Sequence, residues 1–171
     1  DVVIRDITCG WDHCLALDES GKLLSWGSGQ NGKLGTGNEE NVAIPTYVTE
    51  LNGVRIVHIS AGCEHSAAIA EDGTLYSWGH GDGGRLGHGD NSQSMLPTRV
   101  LPLQMNGVRP FSVHCGDKFT IVLARDFDDM LNLSAMQNSS SILTEEVKPI
   151  ELVAETGNQE KLGKPVTQSK L

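Results

Sequence analysis

The fold follows from Gly10-Trp11-Asp12-His13 and Leu23-Leu24-Ser25-Trp26-Gly27, two segments that both recur further along the chain. They return 52 residues later as Gly62-Cys63-Glu64-His65 and Leu75-Tyr76-Ser77-Trp78-Gly79. A constant shift across two separate segments identifies an internal repeat, the feature that most constrains the architecture of a chain.

The repeat continues through a ladder of glycines and a Pro-Thr pair. The first copy has Gly29, Gly32, Gly35, Gly37 and Pro45-Thr46, and the second has Gly81, Gly84, Gly87, Gly89 and Pro97-Thr98. A third copy begins around Gly116, which matches Gly62 at a shift of 54 residues. It ends near Arg125, because the position of the repeated tryptophan is then occupied by Asn132.

Each copy predicts short β-strands. Residues 13–17 and 22–26 are apolar runs, and Asp18-Glu19-Ser20-Gly21 between them has the composition of a tight turn. Gly73 ends the equivalent turn in the second copy. The glycines after each tryptophan are too dense for a helix, since each costs roughly 1 kcal/mol relative to alanine. Repeats of this length with four short strands are typical of β-propeller blades.

We therefore predict an all-β fold of propeller blades over residues 1–125, with units near 7–58 and 59–112 and a partial unit over 113–125. The polar tail, 126–171, has too little apolar surface to offset the entropy of ordering, so we expect most of it to be disordered. The spacing of Phe127, Leu131 and neighbouring apolar residues predicts a short helix over 127–137, which would cap the last blade or dock a partner.

These residues resemble the regulator-of-chromosome-condensation repeat, with its Gly-x-x-His, Ser-Trp-Gly-x-Gly and Gly-x-Leu-Gly-x-Gly elements. The resemblance covers about residues 1–125. Its signature positions are Gly10, His13, Gly21, Trp26, Gly27 and Gly35 in the first unit, Gly62, His65, Gly73, Trp78, Gly79 and Gly87 in the second, and Gly116 in the third.

The resemblance implies a seven-bladed β-propeller, which two repeats and part of a third cannot close. Open blades leave unpaired strand edges and apolar faces. The chain also begins at Asp1 rather than Met. We expect an incomplete propeller whose remaining blades belong to a longer parent chain. Assembly with other chains and a poorly stable truncated product are the alternatives.

Composition narrows the class of partner. The chain carries 22 acidic and 13 basic residues, a formal net charge of −9, which disfavours direct binding to nucleic acid and suits a basic protein surface. No apolar run approaches the roughly 18–20 residues of a membrane helix, and no secretory signal is apparent. The four cysteines do not resemble a disulfide framework. We expect reduced thiols, no membrane association and an intracellular location, cytoplasmic or nuclear.

Several motifs that suggest chemistry are better explained by the repeat. The segment 27–32 matches the dinucleotide pattern G-x-G-x-x-G, but the glycines after it are incompatible with the helix that this pattern requires. Cys9, Cys14, Cys63 and Cys115 align with small or aromatic residues in other copies, which indicates packing rather than metal ligation. We expect no catalytic residue, no cofactor and no metal.

The repeated histidines and tryptophans are expected to be structural. His13 and His65 occupy equivalent positions, so we predict that each ring packs inside its blade and hydrogen-bonds the backbone. Trp26 and Trp78 are predicted to be aromatic residues between blades. Trp11 aligns with Cys63 and Asp117, and such a variable tryptophan is a candidate for contact with a partner.

Residues that vary between copies mark the loops where propellers bind their partners. The candidate binding residues are Trp11, Asp12, Lys33, Glu39, Glu40, Glu64, Arg85, Asp90, Asp117 and Lys118.

The function that we expect is a non-catalytic protein–protein interaction scaffold, for example the docking domain of a HECT-type ubiquitin ligase. The alternative is guanine-nucleotide exchange on a Ran-like small GTPase, which in this family depends on a hairpin inserted in one blade. Neither complete repeat has such an insertion, although the missing blades could carry it. A light-sensing role would require tryptophans clustered at one face. Two of the three tryptophans occupy repeat positions, which disfavours this role.

Overall fold

The strands of this protein form three antiparallel sheets in a computed structural model that describes residues 2–101, 107–126 and 150–153. Sheet 1 contains β1 (Ile4–Cys9), β2 (His13–Asp18), β3 (Leu23–Gly27) and β4 (Val42–Tyr47). Sheet 2 contains β5 (Ile56–Ala61), β6 (His65–Ala70), β7 (Leu75–Gly79) and β8 (Ser94–Arg99). Sheet 3 contains β9 (Val108–Cys115), β10 (Thr120–Asp126) and β11 (Ile150–Val153), with β10 in the middle.

Sheets 1 and 2 have the same topology, with consecutive strands paired in the order of the chain. Both contain a 3-10 turn after the third strand, Gln30–Gly32 in one and Asp82–Gly84 in the other. A further 3-10 turn, Thr49–Leu51, lies in the connection between the two sheets. The segment that matches the dinucleotide pattern is thus the end of a strand followed by a three-residue turn. No helix in the described part of the chain has the length and hydrophobicity that a membrane span requires.

The hairpin between β2 and β3 forms at the predicted turn. The Asp18 carboxylate accepts hydrogen bonds from the Ser20 hydroxyl at 2.6 Å and from the Lys22 amide at 2.9 Å. Gly21 closes the turn at φ +84°, a conformation that side chains disfavour. The predicted strands over 13–17 and 22–26 correspond to β2 and β3 to within one residue at each end.

Sheet 2 lies between the other two sheets, and its central strand is buried on both sides. All six residues of β6 are buried. Ala68 and Ala70 belong to the core shared with sheet 1, whereas Ala67 and Ile69 belong to the core shared with sheet 3. Because successive side chains of a strand point to opposite faces, a strand covered on both faces can carry apolar residues in succession, as Ala67 to Ala70 do after His65 and Ser66. This explains the continuous apolar run that the sequence shows here.

A repeated hydrogen-bond chain, which we call the inter-sheet latch, joins each sheet to the next. His13 Nε2 lies 2.9 Å from Ser66 Oγ, and the Ser66 hydroxyl donates to the Lys33 carbonyl at 2.8 Å. Since the hydroxyl has a single proton and donates it to the carbonyl, Nε2 must carry a hydrogen and donate it to the hydroxyl. The indole N–H of Trp78 donates to the same carbonyl at 2.9 Å.

The latch recurs between sheets 2 and 3. His65 Nε2 lies 2.9 Å from Thr120 Oγ1, whose hydroxyl donates to the Arg85 carbonyl at 2.8 Å. Sequence analysis expected these histidines to bond to the backbone within their own sheet. Instead, each ring bonds to a hydroxyl of the following sheet, and only that hydroxyl contacts the backbone.

The Gly-x-x-His motif is a requirement of the latch. A Cβ at Gly10 would lie 2.6 Å from Nδ1 of His13 and would also clash with the Gly62 carbonyl of the next sheet. A Cβ at Gly62 would likewise clash with the His65 ring and with the carbonyl of Gly116. Only glycine lets the imidazole and the neighbouring sheet approach this closely.

Sheet 3 differs from the expectation drawn from the sequence. Four residues of the polar tail form β11, which pairs with β10 in the place that β3 and β7 occupy in the other sheets. The segment Ile150-Glu151-Leu152-Val153 is rich in residues that favour strands, and it covers the otherwise open edge of β10. The predicted helix over 127–137 lies outside the described residues.

The boundaries of the sheets also differ in phase from the predicted units. The first strands begin at Ile4, Ile56 and Val108, several residues before the units near 7–58, 59–112 and 113–125. A sequence repeat can be divided at any phase, whereas the strand pairing fixes where each sheet begins.

We predict that Ser66→Ala lowers the free energy of unfolding by about 1–3 kcal/mol, because the buried Nε2–H of His13 loses its acceptor. Urea unfolding of the whole chain measures this change. Ser92→Ala, which removes an exposed hydroxyl from a loop, is the matched control and should stay within about 0.5 kcal/mol of the parent chain. Equal effects of the two substitutions would contradict the latch.

Stability should also fall in mild acid. Burial, with a smaller contribution from the nearby Lys33, lowers the pKa of His13 from 6.5 to about 4. Burial and the nearby Arg85 lower the pKa of His65 to about 4. Because the unfolded rings bind protons at higher pH than the folded ones, the stabilisation is complete above about pH 6.5 and is lost as the pH falls towards 4.

Between neutral pH and about pH 5 the expected loss is about 2 kcal/mol for each histidine. Urea unfolding as a function of pH measures it, and the double variant His13→Gln, His65→Gln should have a flatter profile. A profile with the same slope in this variant would show that other groups cause the pH dependence.

Candidate functional site

The loops that follow β1 and β3 lie at the same end of their sheet. Cys9 pairs with Cys14 and His13 pairs with Gly27, so the end of β1, the start of β2 and the end of β3 are level. The same holds in sheet 2, where His65 pairs with Gly79. We call the surface formed by residues 10–12, 28–41, 62–64, 80–93 and 116–118 the loop face.

The loop face is acidic. Seven carboxylates and three cationic side chains lie on it, a formal charge of −4. The acidic residues are Asp12, Glu39, Glu40, Glu64, Asp82, Asp90 and Asp117, and the cationic residues are Lys33, Arg85 and Lys118.

Most of the predicted binding residues are exposed on this face. Trp11 has 81% of its surface exposed, and Glu64 is half-buried. The other exposed members of the predicted set are Asp12, Glu39, Glu40, Asp90, Asp117 and Lys118.

Lys33 and Arg85 differ from the expectation of exposed loop positions. Lys33 is 1% exposed, and its ammonium lies 2.6 Å from the Asp12 carboxylate. Arg85 is 5% exposed, and its guanidinium donates to the carbonyls of Asp82 at 2.8 Å and Asp117 at 3.4 Å. Both backbones are held inward because their carbonyls accept the latch hydrogen bonds. The loop face therefore presents six of its seven carboxylates to solvent while two of its three cations are buried.

Two interactions hold the loops of the face together. His80 lies between two carboxylates, with Nδ1 3.1 Å from Glu64 and Nε2 3.3 Å from Asp82. The Gln93 amide donates to the Glu39 carboxylate at 2.8 Å, which joins the long loop of sheet 2 to that of sheet 1. The face is therefore a continuous surface that spans the sheets.

A polar cluster that sequence analysis did not identify lies along the first strands of the sheets. The Ser112 hydroxyl is 2.9 Å from His114 Nε2 and 3.4 Å from His58 Nε2. Burial and the neighbouring His114 lower the pKa of His58. Between the same two strands, β5 and β9, Ser60 Oγ accepts a hydrogen bond from the Cys115 amide at 2.8 Å. Alternating polar residues in β5 and β9 were the available signal, and the contacts indicate that they join sheets.

The thiols and acidic groups of the described residues do not form a metal site. All four cysteines are free, and no group of three His, Cys, Asp or Glu side chains in the described part of the chain is placed to hold an ion.

The opposite end of the sheets has a different charge pattern. Arg55 lies 3.3 Å from the Glu71 carboxylate, and Arg109 donates to the Glu71 carbonyl at 2.8 Å. The Arg125 guanidinium stacks 4.8 Å from the centre of the Phe111 ring. Arg109 and Arg125 border a cavity of about 210 Å³, room for a single side chain. At this end arginine side chains accompany the carboxylates, whereas on the loop face seven carboxylates stand against three cations.

Comparison with known families identifies the repeat. The model described as "Regulator of chromosome condensation (RCC1) repeat" matches residues 20–69 and 72–123, and a second model of the same description matches residues 4–33 and 56–85. The matched residues make up more than half of the chain.

Curated relatives and solved structures agree with this match. The chain is 43% identical over 118 residues to ultraviolet-B receptor UVR8 of Arabidopsis thaliana, covering 69% of this chain and 26% of the receptor. It is 39% identical over 120 residues to the E3 ubiquitin-protein ligase HERC2 of Homo sapiens, covering 70% of this chain and 2% of the ligase.

The structure also resembles that of Prp20p from Saccharomyces cerevisiae, which was described with its binding properties to Gsp1p and histones. The TM-score is 0.66 and the identity 28%, over 81% of this chain and 35% of Prp20p. The chain thus spans about a third or less of each of these proteins. Its four-stranded antiparallel sheets resemble the blades of this family, and the chain belongs to the regulator of chromosome condensation (RCC1) repeat family.

Proposed function

We propose that this chain is a non-catalytic protein–protein interaction module whose loop face binds a basic protein surface. The observation that carries the proposal is the charge of that face. Seven carboxylates lie on it, while Lys33 and Arg85 are withdrawn beneath it. An exposed field of one sign attracts a partner of the opposite sign and accelerates association.

The exposed Trp11 supports the same role. Its indole is 81% exposed beside the Asp12–Lys33 pair, at a position where the other sheets have Cys63 and Asp117. Tryptophan contributes disproportionately to the energy of protein interfaces, and an apolar ring surrounded by charged groups is the usual composition of such a centre.

The geometry of the loops favours binding over catalysis. The polar groups of the face are paired with one another, as in Asp12 with Lys33 and Glu64 with His80, and they hold the loops in a fixed arrangement. A rigid surface of this kind loses little conformational entropy when it binds a partner. We infer an adaptor role rather than an enzymatic one.

We further infer that the three sheets are consecutive blades of a seven-bladed ring that other blades complete. The support is the difference in burial between the sheets. Every residue of β6 is buried, whereas Ile7 of sheet 1 and Phe119 of sheet 3 are 57% and 48% exposed on the outer sides. The similarity to HERC2 supports placement in a large intracellular regulator, such as a ubiquitin ligase, in which this domain docks a protein partner.

The first prediction for this role concerns charge. Glu39→Gln with Glu40→Gln should weaken binding to histones, the basic partners described for Prp20p, by roughly threefold to tenfold at low salt. The loss should shrink as salt screens the interaction. Isothermal titration calorimetry at several salt concentrations measures it.

The matched control for charge is Glu19→Gln with Glu50→Gln, which removes the same charge from exposed positions at the opposite end of the sheets. Binding should be retained in this control. Equal weakening by both pairs would indicate a response to net charge alone and would contradict a loop-face site, as would unchanged binding in the first pair.

The second prediction concerns the aromatic centre. Trp11→Ala should weaken the same binding by about tenfold or more, because the ring is lost from the centre of the interface. The melting temperature should stay unchanged, since the side chain is exposed. Ile44→Ala, which shortens a 71% exposed side chain on β4, is the control and should bind like the parent chain. Full affinity of Trp11→Ala would place the interface elsewhere.

A further inference from the structure

Two thiols face each other where β1 and β2 meet at the loop face. Cys9 and Cys14 are direct cross-strand partners, and the Cys14 thiol donates a hydrogen bond to Cys9 Sγ at 3.3 Å. Both cysteines are free thiols, Cys9 exposed and Cys14 half-buried. The pair is therefore reachable from solvent and already has its sulfur atoms in contact.

The backbone at this pair suits a disulfide. The next pair towards the turn is Gly10 and His13, and the Gly10 amide donates a hydrogen bond to the His13 carbonyl at 2.9 Å. Since hydrogen-bonded and non-hydrogen-bonded pairs alternate along an antiparallel ladder, Cys9 and Cys14 form a non-hydrogen-bonded pair, with Cα atoms about 4.5 Å apart. That separation lies within the range of about 4.4–6.8 Å that disulfides occupy. Bridging the two sulfurs requires no change of register.

The pair is not a feature of the repeat. The same register position holds Ala61 opposite Ser66 in sheet 2. In sheet 3 it holds Cys115 opposite Thr120, with the sulfur 3.9 Å from the hydroxyl oxygen. Sheet 1 alone among the described sheets places two thiols across from each other, so packing in the repeat does not require them.

The two thiols have different roles in an exchange reaction. Cys9 is exposed, whereas the half-buried Cys14 donates its S–H to Cys9 Sγ. Burial and the adjacent Cys9 raise the pKa of Cys14 to about 11. Cys9 is therefore the nucleophile that meets an incoming reagent, and Cys14 is the thiol that resolves the intermediate.

We propose that Cys9 and Cys14 form a redox site that closes to an intrachain disulfide by exchange with a small disulfide such as oxidised glutathione. The Cys9 thiolate attacks one sulfur of that disulfide, and one glutathione thiolate leaves. Cys14 then loses its proton to solvent, and its thiolate attacks Cys9 Sγ and displaces the second glutathione thiolate. Two protein thiols are oxidised to one disulfide, and one small disulfide is reduced to two thiols.

The bridge closes the turn that carries Trp11 and Asp12. Its formation thus fixes a segment of the loop face, a connection to binding that rests on the proposed function. The thiol chemistry does not rest on it, because exchange is measured without any protein partner.

In the test, the whole chain is incubated with oxidised glutathione, and the remaining free thiols are then alkylated. Mass spectrometry with peptide mapping identifies the state of each cysteine. The expected product is a Cys9–Cys14 disulfide without bound glutathione. Cys14→Ser, which introduces the residue of sheet 2, should instead accumulate one glutathione on Cys9. Cys9→Ala, again the residue of sheet 2, should leave Cys14 largely unmodified.

The control variant Cys63→Ser with Cys115→Ser should form the same internal disulfide as the parent chain. The proposal is overturned if the parent chain keeps glutathione on Cys9, or if modification falls mainly on Cys63 or Cys115. A second measurement tests whether the native fold favours the bridge, or only the short separation of the two cysteines in the sequence. The equilibrium between bridge and glutathione should favour the bridge more in native buffer than in concentrated guanidinium chloride, and equal values would overturn the proposal.

Discussion

The structure depends on a histidine that hydrogen-bonds across the gap between two sheets. In both interfaces an imidazole N–H donates to a hydroxyl of the next sheet, and that hydroxyl donates to a loop carbonyl. The two histidines, Ser66 and the residues that supply the carbonyls are buried, and Thr120 is half-buried, so water has little access as an alternative partner. The arrangement fixes the distance and the rotation between sheets, which the apolar packing on either side would leave less well defined.

The electrostatics of the loop face follow from the same interaction. Lys33 and Arg85 supply the carbonyls that terminate the two latches, and this holds their side chains below the surface. Their charges are then satisfied internally, by the Asp12 carboxylate in one case and by loop carbonyls in the other. The exposed acidity of the face is thus a consequence of how the sheets are joined.

Sheets 1 and 3 each lack one of the two residue types that form the latch in the other sheets. Cys14 stands where sheets 2 and 3 have a hydroxyl, and Phe119 stands where sheets 1 and 2 have the histidine. The latch chemistry is therefore confined to the two interfaces inside the described sheets. At Cys14 a thiol takes the place of that hydroxyl and, with Cys9 opposite, forms the Cys9–Cys14 pair.

The sequence by itself determined the all-β class, the repeat, the hairpin turns and the family, because these depend on local chemistry such as the glycine at Gly21 and on a period visible along the chain. It also indicated most of the acidic loop residues, since variable positions mark loops. Only the tertiary structure decided that Lys33 and Arg85 are buried, that His13 bonds to the next sheet and that Ile150–Val153 is the third strand of sheet 3. These outcomes depend on contacts between residues more than 20 positions apart, which no local pattern encodes.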